Sequence, residues 1–330
     1  AREEGMHAWL YDEDRWPSGS AGGLVAARGG DAFRAKLVTC EATPTRPAPE
    51  EGLLALYTGR VREGTLHGLR RVPGGEDAAG DGEVWIALRR EVSGPSERFN
   101  NEAYTDNLNP DAVAAFIDIT YEAYADAVGG DFGAPASGAA VPGIFTDEPN
   151  IYAARVPSGR PGLPWTDGLL DLFRERRGYD LLDVLPWLFY DGEGAVAARH
   201  DYWWTITERF VGAYSAQLGA WCEAHGLAFT GHYLYEQEMG LGIQRTGAIM
   251  PHLRHEHVPG IDILTEQNHE NLTVKQCSSV ANQFGRRWVL SETYGCSSWE
   301  FTFEGQKWVG DWQYVLGVNV RCQHLALYSI

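Results

Sequence analysis

Short apolar runs, most of them followed by a stretch with helical spacing, constrain this chain more than any other feature. MHAWLYD (6–12), AKLVTCE (35–41), GIFTD (143–147), LAFTGHY (227–233), IDILT (261–265), RWVLSE (287–292) and HLALYSI (324–330) read as strands. NPDAVAAFIDITYEAYADAVG, WTDGLLDLFRERRGYDLLDVLPWL, the run from His200 to His225, TVKQCSSVANQFG and KWVGDWQYVLGVNVR read as helices. Asn109 caps the first of these, with Pro110 at its first position. Alternation of this kind builds βα units around a parallel sheet. The expected fold is an α/β, (β/α)8 TIM-type barrel. It is expected to be incomplete, because AREEG reads as the end of a helix and a first strand would then precede Ala1. A doubly wound sheet is the alternative, but no GxGxxG or GxxxxGKS/T loop follows any strand.

The rhythm breaks between Ala42 and Asn100. TPTRPAPEEG opens the stretch, LLALYTGRV and EVWIALRREV read as antiparallel strands, and the turn-rich PGGEDAAGDG lies between them. The expected division is a catalytic barrel from 1–41 and 101–330 with a β-rich insertion at 42–100.

A hydrophobic content of 44% with 22% charged residues is that of a globular protein. No apolar run reaches the ~18 residues of a membrane span. The net charge of −18 argues against nucleic acid, which is bound through basic surfaces. Aromatic residues make up 12%, an excess that suits a carbohydrate cleft, where flat rings cover sugar faces. The five cysteines form no CxxC pair and read as mostly buried free thiols, which leans toward a reducing, cytoplasmic compartment.

Active-site groups of an α/β barrel project from the C-terminal ends of its strands. Here those ends are acidic. The first strand runs into Asp12, Glu13 and Trp16; the second offers Glu41; GIFTD yields Asp147 and Glu148 before Pro149 stops the ladder. LAFTGHY contributes His232, with Glu236 just beyond, IDILT contributes Asp262, and RWVLSE contributes Glu292 followed by Tyr294. The last strand carries His324 near its start. A lone acid at a strand end is ordinarily a cap, and a lone histidine is often a core residue. Their coincidence at one face points to chemistry. Two carboxylates facing each other across a barrel mouth are what glycoside hydrolysis needs: one protonates the leaving oxygen, the other activates water or attacks the anomeric carbon.

WLYDEDRWPSGSAGG, GIFTDEP, VPGIDIL, VLSETYG and HLALYSI resemble, in order, segments of the α-L-rhamnosidases of glycoside hydrolase family 106. The likeness runs from about Trp9 to Ile330 outside the 42–100 stretch. It implies a catalytic α/β barrel with further β domains, an inverting mechanism, and a calcium ion at the sugar site whose ligands it does not assign. By the same resemblance Glu148 is the general acid and Glu292 the acid that activates water. Asp12, Glu13, His232, Glu236 and Asp262 match positions lining the sugar pocket. Trp16, Asp147, Tyr294 and His324 join them as candidates from their places at strand ends.

Two other functions fit the same residues. One is a catalytically silent carbohydrate-binding barrel, which needs the aromatic residues but not a close acid pair. The other is a metal-dependent barrel hydrolase or isomerase using His232, Glu236, Asp262 and His324, for which clustered imidazoles would argue. No HxH or HExxH spacing supports it.

Overall fold

The computed structural model describes residues 2–72 and 79–324. Its strands are β1 (Leu10–Tyr11), β2 (Lys36–Thr43), β3 (Leu53–Arg62), β4 (Thr65–Val72), β5 (Val84–Val92), β6 (Gly143–Asp147), β7 (Gly162–Trp165), β8 (Ala228–His232), β9 (Gly260–Ile263), β10 (Leu290–Thr293) and β11 (Val320–Gln323). The first four residues of β6 are all buried, as in strands covered on both faces. β1, β6 and β8 pair in parallel in that order, and so do β9, β10 and β11. A parallel bridge from Thr230 to Val258 links the two sheets. Six parallel strands thus follow one another in chain order. Among the described residues, no ladder joins the outer strands β1 and β11.

The stretch 35–41, expected as a barrel strand, lies elsewhere. β2 pairs antiparallel with β5 on one side and β7 on the other, inside a five-stranded sheet of order β4-β3-β5-β2-β7. A parallel neighbour needs a long crossover, whereas the chain after β2 turns straight back through hairpins. β4, between the two antiparallel strands read from the sequence, carries little apolar signal, because TLHGLRRV is largely polar. Glu41 accordingly sits on this sheet, paired with Arg89 and Arg160, away from the strand-end acids.

The other correction is at the far end. The helix Phe303–Leu316 stops at Gly317, whose φ of +118° suits glycine. The VNVR expected to continue it enters β11 instead. His324 directly follows that strand. The rest of HLALYSI, 325–330, lies outside the described residues.

One buried stripe explains how the longest helical run packs. Tyr202, Ile206, Phe210, Tyr214, Leu218 and Cys222 recur every four residues and are all fully buried. At 3.6 residues per turn such a stripe drifts by about 40° a step. A single π turn at Val211–Ser215, between Ala195–Phe210 and Ala216–Ala224, unwinds the drift. The stripe belongs to the main core with Ile144 and Phe229 of β6 and β8. A second core joins Ile261 and Ile263 of β9 to Val274, Cys277 and Val280 of the next helix. Among the described residues no helix is long and apolar enough to cross a membrane. Their five cysteines are free, but only Cys222 and Cys277 are buried; Cys296 and Cys322 are exposed, contrary to expectation.

The join between β8 and β9 is tight. A Cβ on Gly260 would meet the Gly231 carbonyl oxygen at 2.1 Å, a backbone atom that cannot swing away. Gly260→Ala should lower the unfolding free energy in urea by about 1–3 kcal/mol, the ordinary cost of overpacking. A variant as stable as the parent would mean that β8 and β9 are not neighbours.

Candidate active site

The parallel register gathers the acids. Asp147 is opposite His232 in the β6–β8 ladder. Glu292 is opposite Asp262 on one side and Cys322 on the other. Alternate residues of a strand share a face. Phe145, Leu290 and Val320 therefore lie below Asp147, Glu292 and Cys322, and all six line one cavity of about 910 Å³. Its floor is apolar and its rim ionisable.

His232, at the end of β8, is the centre of that rim and is 1% exposed. Its Nε2 is 3.0 Å from Asp147 Oδ1, and its Nδ1 is 3.6 Å from Glu292 Oε2, an ion-pair contact too long for a hydrogen bond. A ring nitrogen also lies within 4.8 Å of carboxylate oxygens of Glu148 and Asp262. Burial opposes charge on this ring, but Asp147, Asp262 and Glu292 outweigh it and hold its pKa well above the ordinary imidazole value. Burial likewise acts on Asp147, where the hydrogen bond and charge of His232 win and the pKa falls below the usual carboxylate value. Glu148 and Glu292 are both raised, chiefly by burial. Asp262 is pushed up to about 7, again mainly by burial. His324, half exposed, stands 3.8 Å from Glu292 Oε1.

Glu148 leaves this row. Its φ of +48° turns the chain directly after β6, and its amide donates to the His232 carbonyl at 3.1 Å. Trp16 Nε1 donates to Glu148 Oε2 at 3.0 Å, while the Arg98 guanidinium covers the Trp16 ring. Glu148 faces a second cavity of about 250 Å³ with Tyr235, Glu236, Asp262 and Glu270. The two acids expected to work as a pair therefore flank His232, one in each cavity.

The remaining candidates divide. Asp12 is 2% exposed and accepts from Ser18 Oγ at 2.6 Å and Tyr121 Oη at 2.7 Å, so the protein already occupies it. Glu236 does line the small cavity, but its two oxygens accept from the backbone amides of Tyr233 and Asp262. Glu13 stands beside Tyr11 and Asp147. Tyr294 points away: its hydroxyl donates to the Gln306 carbonyl and accepts from Arg321. The sequence reading missed Tyr11, whose hydroxyl donates to Asp147, and Ser18, which joins Asp12 to the Asp147 amide. It also missed Glu270, at the N-terminal cap of Asn271–Gln283. Tyr11 sits in an apolar run, Ser18 in a glycine-rich loop and Glu270 before a helix, so each has a structural reading that hides it.

Glu148, His232 and Asp262 offer one ligand atom each within 4.8 Å of one another. That set does not fit calcium, which takes six to eight oxygens, because one donor is an imidazole. The neighbouring acids also raise the pKa of the ring, which disfavours the neutral imidazole that a metal ion needs.

Parallel strands ending in carboxylates around a buried imidazole define an α/β protein with an ionisable cleft at its strand ends. The family model for glycoside hydrolase family 106, alpha-L-rhamnosidase, matches residues 93–328, and the chain belongs to that family. The structure of a rhamnosidase from Novosphingobium sp. PP1Y is similar in fold, with a TM-score of 0.57 and 22% identity over 77% of this chain. The match covers 24% of that protein, so the chain spans a minor part of its length. A search of curated proteins gave no match.

Buried acids make stability depend on pH in an unusual direction. Burial pushes Asp12 up to about 7 and Glu236 up to about 8. Their folded values exceed the unfolded ones of about 4, so the native state binds the extra protons. The stability they contribute is full below about pH 4 and is lost as pH rises through 7–8. Unfolding free energy measured in urea should therefore fall between pH 5 and 8.5. Asp12→Asn should flatten that fall by about 1.4 kcal/mol or more, one pKa unit's worth. An identical slope in the variant would remove Asp12 from the explanation.

Proposed function

We propose that this chain is the catalytic part of a glycoside hydrolase that releases a terminal α-L-rhamnosyl group, on a scaffold of the (β/α)8 type. The observation carrying the proposal is a pair of orphaned polar atoms. Nδ1 of His232 and Oδ1 of Asp262 are buried and have no hydrogen-bond partner. Such groups ordinarily have one, and the hydroxyls of a sugar ring supply both an acceptor and a donor. The sugar would lie across the His232 edge, its scissile bond toward Glu148.

Glu148 then acts as general acid. Burial and the neighbouring Asp147 and Glu292 raise its pKa, against the opposing pull of His232, which favours the protonated form a general acid needs. Glu292 acts as the base that activates water from the other side of the ring. Asp147 keeps the imidazole charged and oriented. The family resemblance implies inversion, in which a water lies between the sugar and the basic carboxylate. Calcium, implied by the family resemblance, carries no step in this scheme.

The Glu148–His232–Asp262 group keeps a metal-dependent hydrolase as the second reading. It lacks the second imidazole that such sites favour, since among the described residues only this one cluster forms and His232 is its only histidine. Recovery of activity with zinc but not calcium, after chelation, would displace the acid-pair reading.

Glu148→Gln should cut kcat on rhamnosides with alcohol leaving groups by about 10²–10⁴-fold, yet spare dinitrophenyl rhamnosides, which need little acid help. Equal losses on both would take the acid role from Glu148. Glu292→Gln should depress both substrates alike. Proton NMR of the first-formed sugar should give the inverted anomer; the retained anomer would require a covalent intermediate and a different role for Glu292.

A further inference from the structure

The carboxyl of Glu148 is held by one side chain. Its backbone is fixed by the φ of +48° and by the bond from its amide to the His232 carbonyl. Among the described residues its carboxyl takes a hydrogen bond only from Trp16, whose Nε1 lies 3.0 Å from Oε2. Trp16 and Glu148 are far apart in the chain, but their loops are tied together. The Ser18 amide donates to the Asp147 carbonyl at 2.9 Å, and the Ser18 hydroxyl accepts from the Asp147 amide at 2.8 Å. The buried Tyr104 hydroxyl donates to the Ser18 carbonyl at 2.8 Å and accepts from the Asn150 amide at 3.3 Å. The Trp16 loop is therefore anchored at Asp147 and at Asn150, on either side of Glu148. The Arg98 guanidinium, 4.9 Å from the centre of the Trp16 ring, covers the indole.

An indole N–H donates and never accepts. A neutral carboxylic acid has one oxygen that bears the proton and one that accepts. With Oε2 engaged by Trp16, the proton of a protonated Glu148 belongs on Oε1, the oxygen left to meet a substrate. When that proton passes to the leaving oxygen and the glycosidic C–O bond breaks, the electron pair stays with the departing oxygen. Glu148 is left as a carboxylate. The Trp16 N–H then faces a full negative charge, and a charge-assisted hydrogen bond is about twice as strong as a neutral one. The contact strengthens through the step, which is the kind of interaction that lowers a barrier. A tryptophan beside a sugar site could instead cover a sugar face, but here one edge is committed to Glu148 and one face to Arg98.

We infer that Trp16, steadied by Arg98, is a positioning residue for Glu148: it fixes the carboxyl so that Oε1 presents the proton to the leaving oxygen. The inference rests on Glu148 as the general acid; the hydrogen bond stands apart from that reading. Kinetics and NMR on the full-length protein test it. Trp16→Phe keeps a ring under Arg98 and removes the N–H. It should lower kcat on rhamnosides with alcohol leaving groups by about tenfold, the worth of one hydrogen bond to a charged group, with KM little changed. The loss on a dinitrophenyl rhamnoside should be much smaller, since that leaving group needs little acid help. Arg98→Gln, at an exposed side chain, should show the same bias with a loss of about two- to fivefold, the worth of an exposed cation–π contact. A loss shared equally by both substrates, or a rise in KM alone, would make Trp16 a sugar platform and overturn the inference. If Trp16→Phe fails to fold, Arg98→Gln decides alone. In proton–nitrogen correlation spectra, the indole N–H signal that Trp16→Phe removes should move upfield in Glu148→Ala; an unmoved signal also overturns it. A parent protein without turnover, in which that signal still moves, would sink the hydrolase reading, and with it the role of Trp16 but not its bond.

Discussion

The buried ring of His232, which its acidic neighbours favour in the charged form, is the constraint from which the site follows. An imidazolium removed from water is expensive unless its surroundings answer it. Asp147 answers at Nε2, Glu292 faces Nδ1, and Glu148 and Asp262 complete the shell. These four acids come from β6, β9 and β10, so one ring ties three other strand ends to β8. Removing a single partner from such a group leaves an uncompensated charge, at a cost of about 3–5 kcal/mol. The acids are therefore not free to vary one at a time, whatever chemistry they perform.

Other buried acids repair a gap in the sheet. Among the described residues, one backbone bridge, Thr230 to Val258, joins β8 to the segment entering β9, where the two parallel sheets meet. Glu236 spans that seam with one oxygen on the Tyr233 amide and the other on the Asp262 amide. Glu256, fully buried, accepts from the Gly260 amide at 2.8 Å. Thr230 Oγ1 donates to the Val258 carbonyl at 2.6 Å. Side chains thus stand in for ladder hydrogen bonds, and burial keeps the pKa values of Glu236 and Glu256 high. A carboxyl that stitches a seam and a carboxyl that meets a substrate look alike in a sequence.

That likeness marks how far the sequence could be read. The parallel strands from β6 to β10 were legible, because each is a short apolar run bounded by turn residues. So was the collection of Asp147, Glu148, His232, Asp262 and Glu292 at their ends. What misled was partner choice. AKLVTCE has the composition of a barrel strand, but the hairpins after it decide its neighbours. The division of labour among the acids was illegible too. Asp12 and Glu236 differ from Asp147 and Glu148 only in what reaches their oxygens. Those contacts come from Ser18, Tyr121 and two backbone amides, far away in the chain or silent in it.

The adjacent acids of GIFTDEP are placed by the backbone. In an extended strand consecutive side chains point to opposite faces, so if Asp147 faces the inner cavity, Glu148 should face the helices. The chain avoids this by leaving the strand in a left-handed turn. Glu148 has φ +48°, and the same turn recurs past β8, β9 and β10 at Tyr235, Thr265 and Tyr294, with φ of +65°, +64° and +80°. Each such residue costs about 1–3 kcal/mol and persists only where neighbours enforce it. Here strand-to-strand hydrogen bonds do so: the Glu148 amide to the His232 carbonyl, the Thr265 amide to the Gly295 carbonyl, and the Tyr294 amide to the Ile263 carbonyl. Pro149, which cannot donate to a ladder, keeps β6 from continuing past the turn. The result is that two residues adjacent in sequence serve different cavities, with the charged ring of His232 between them.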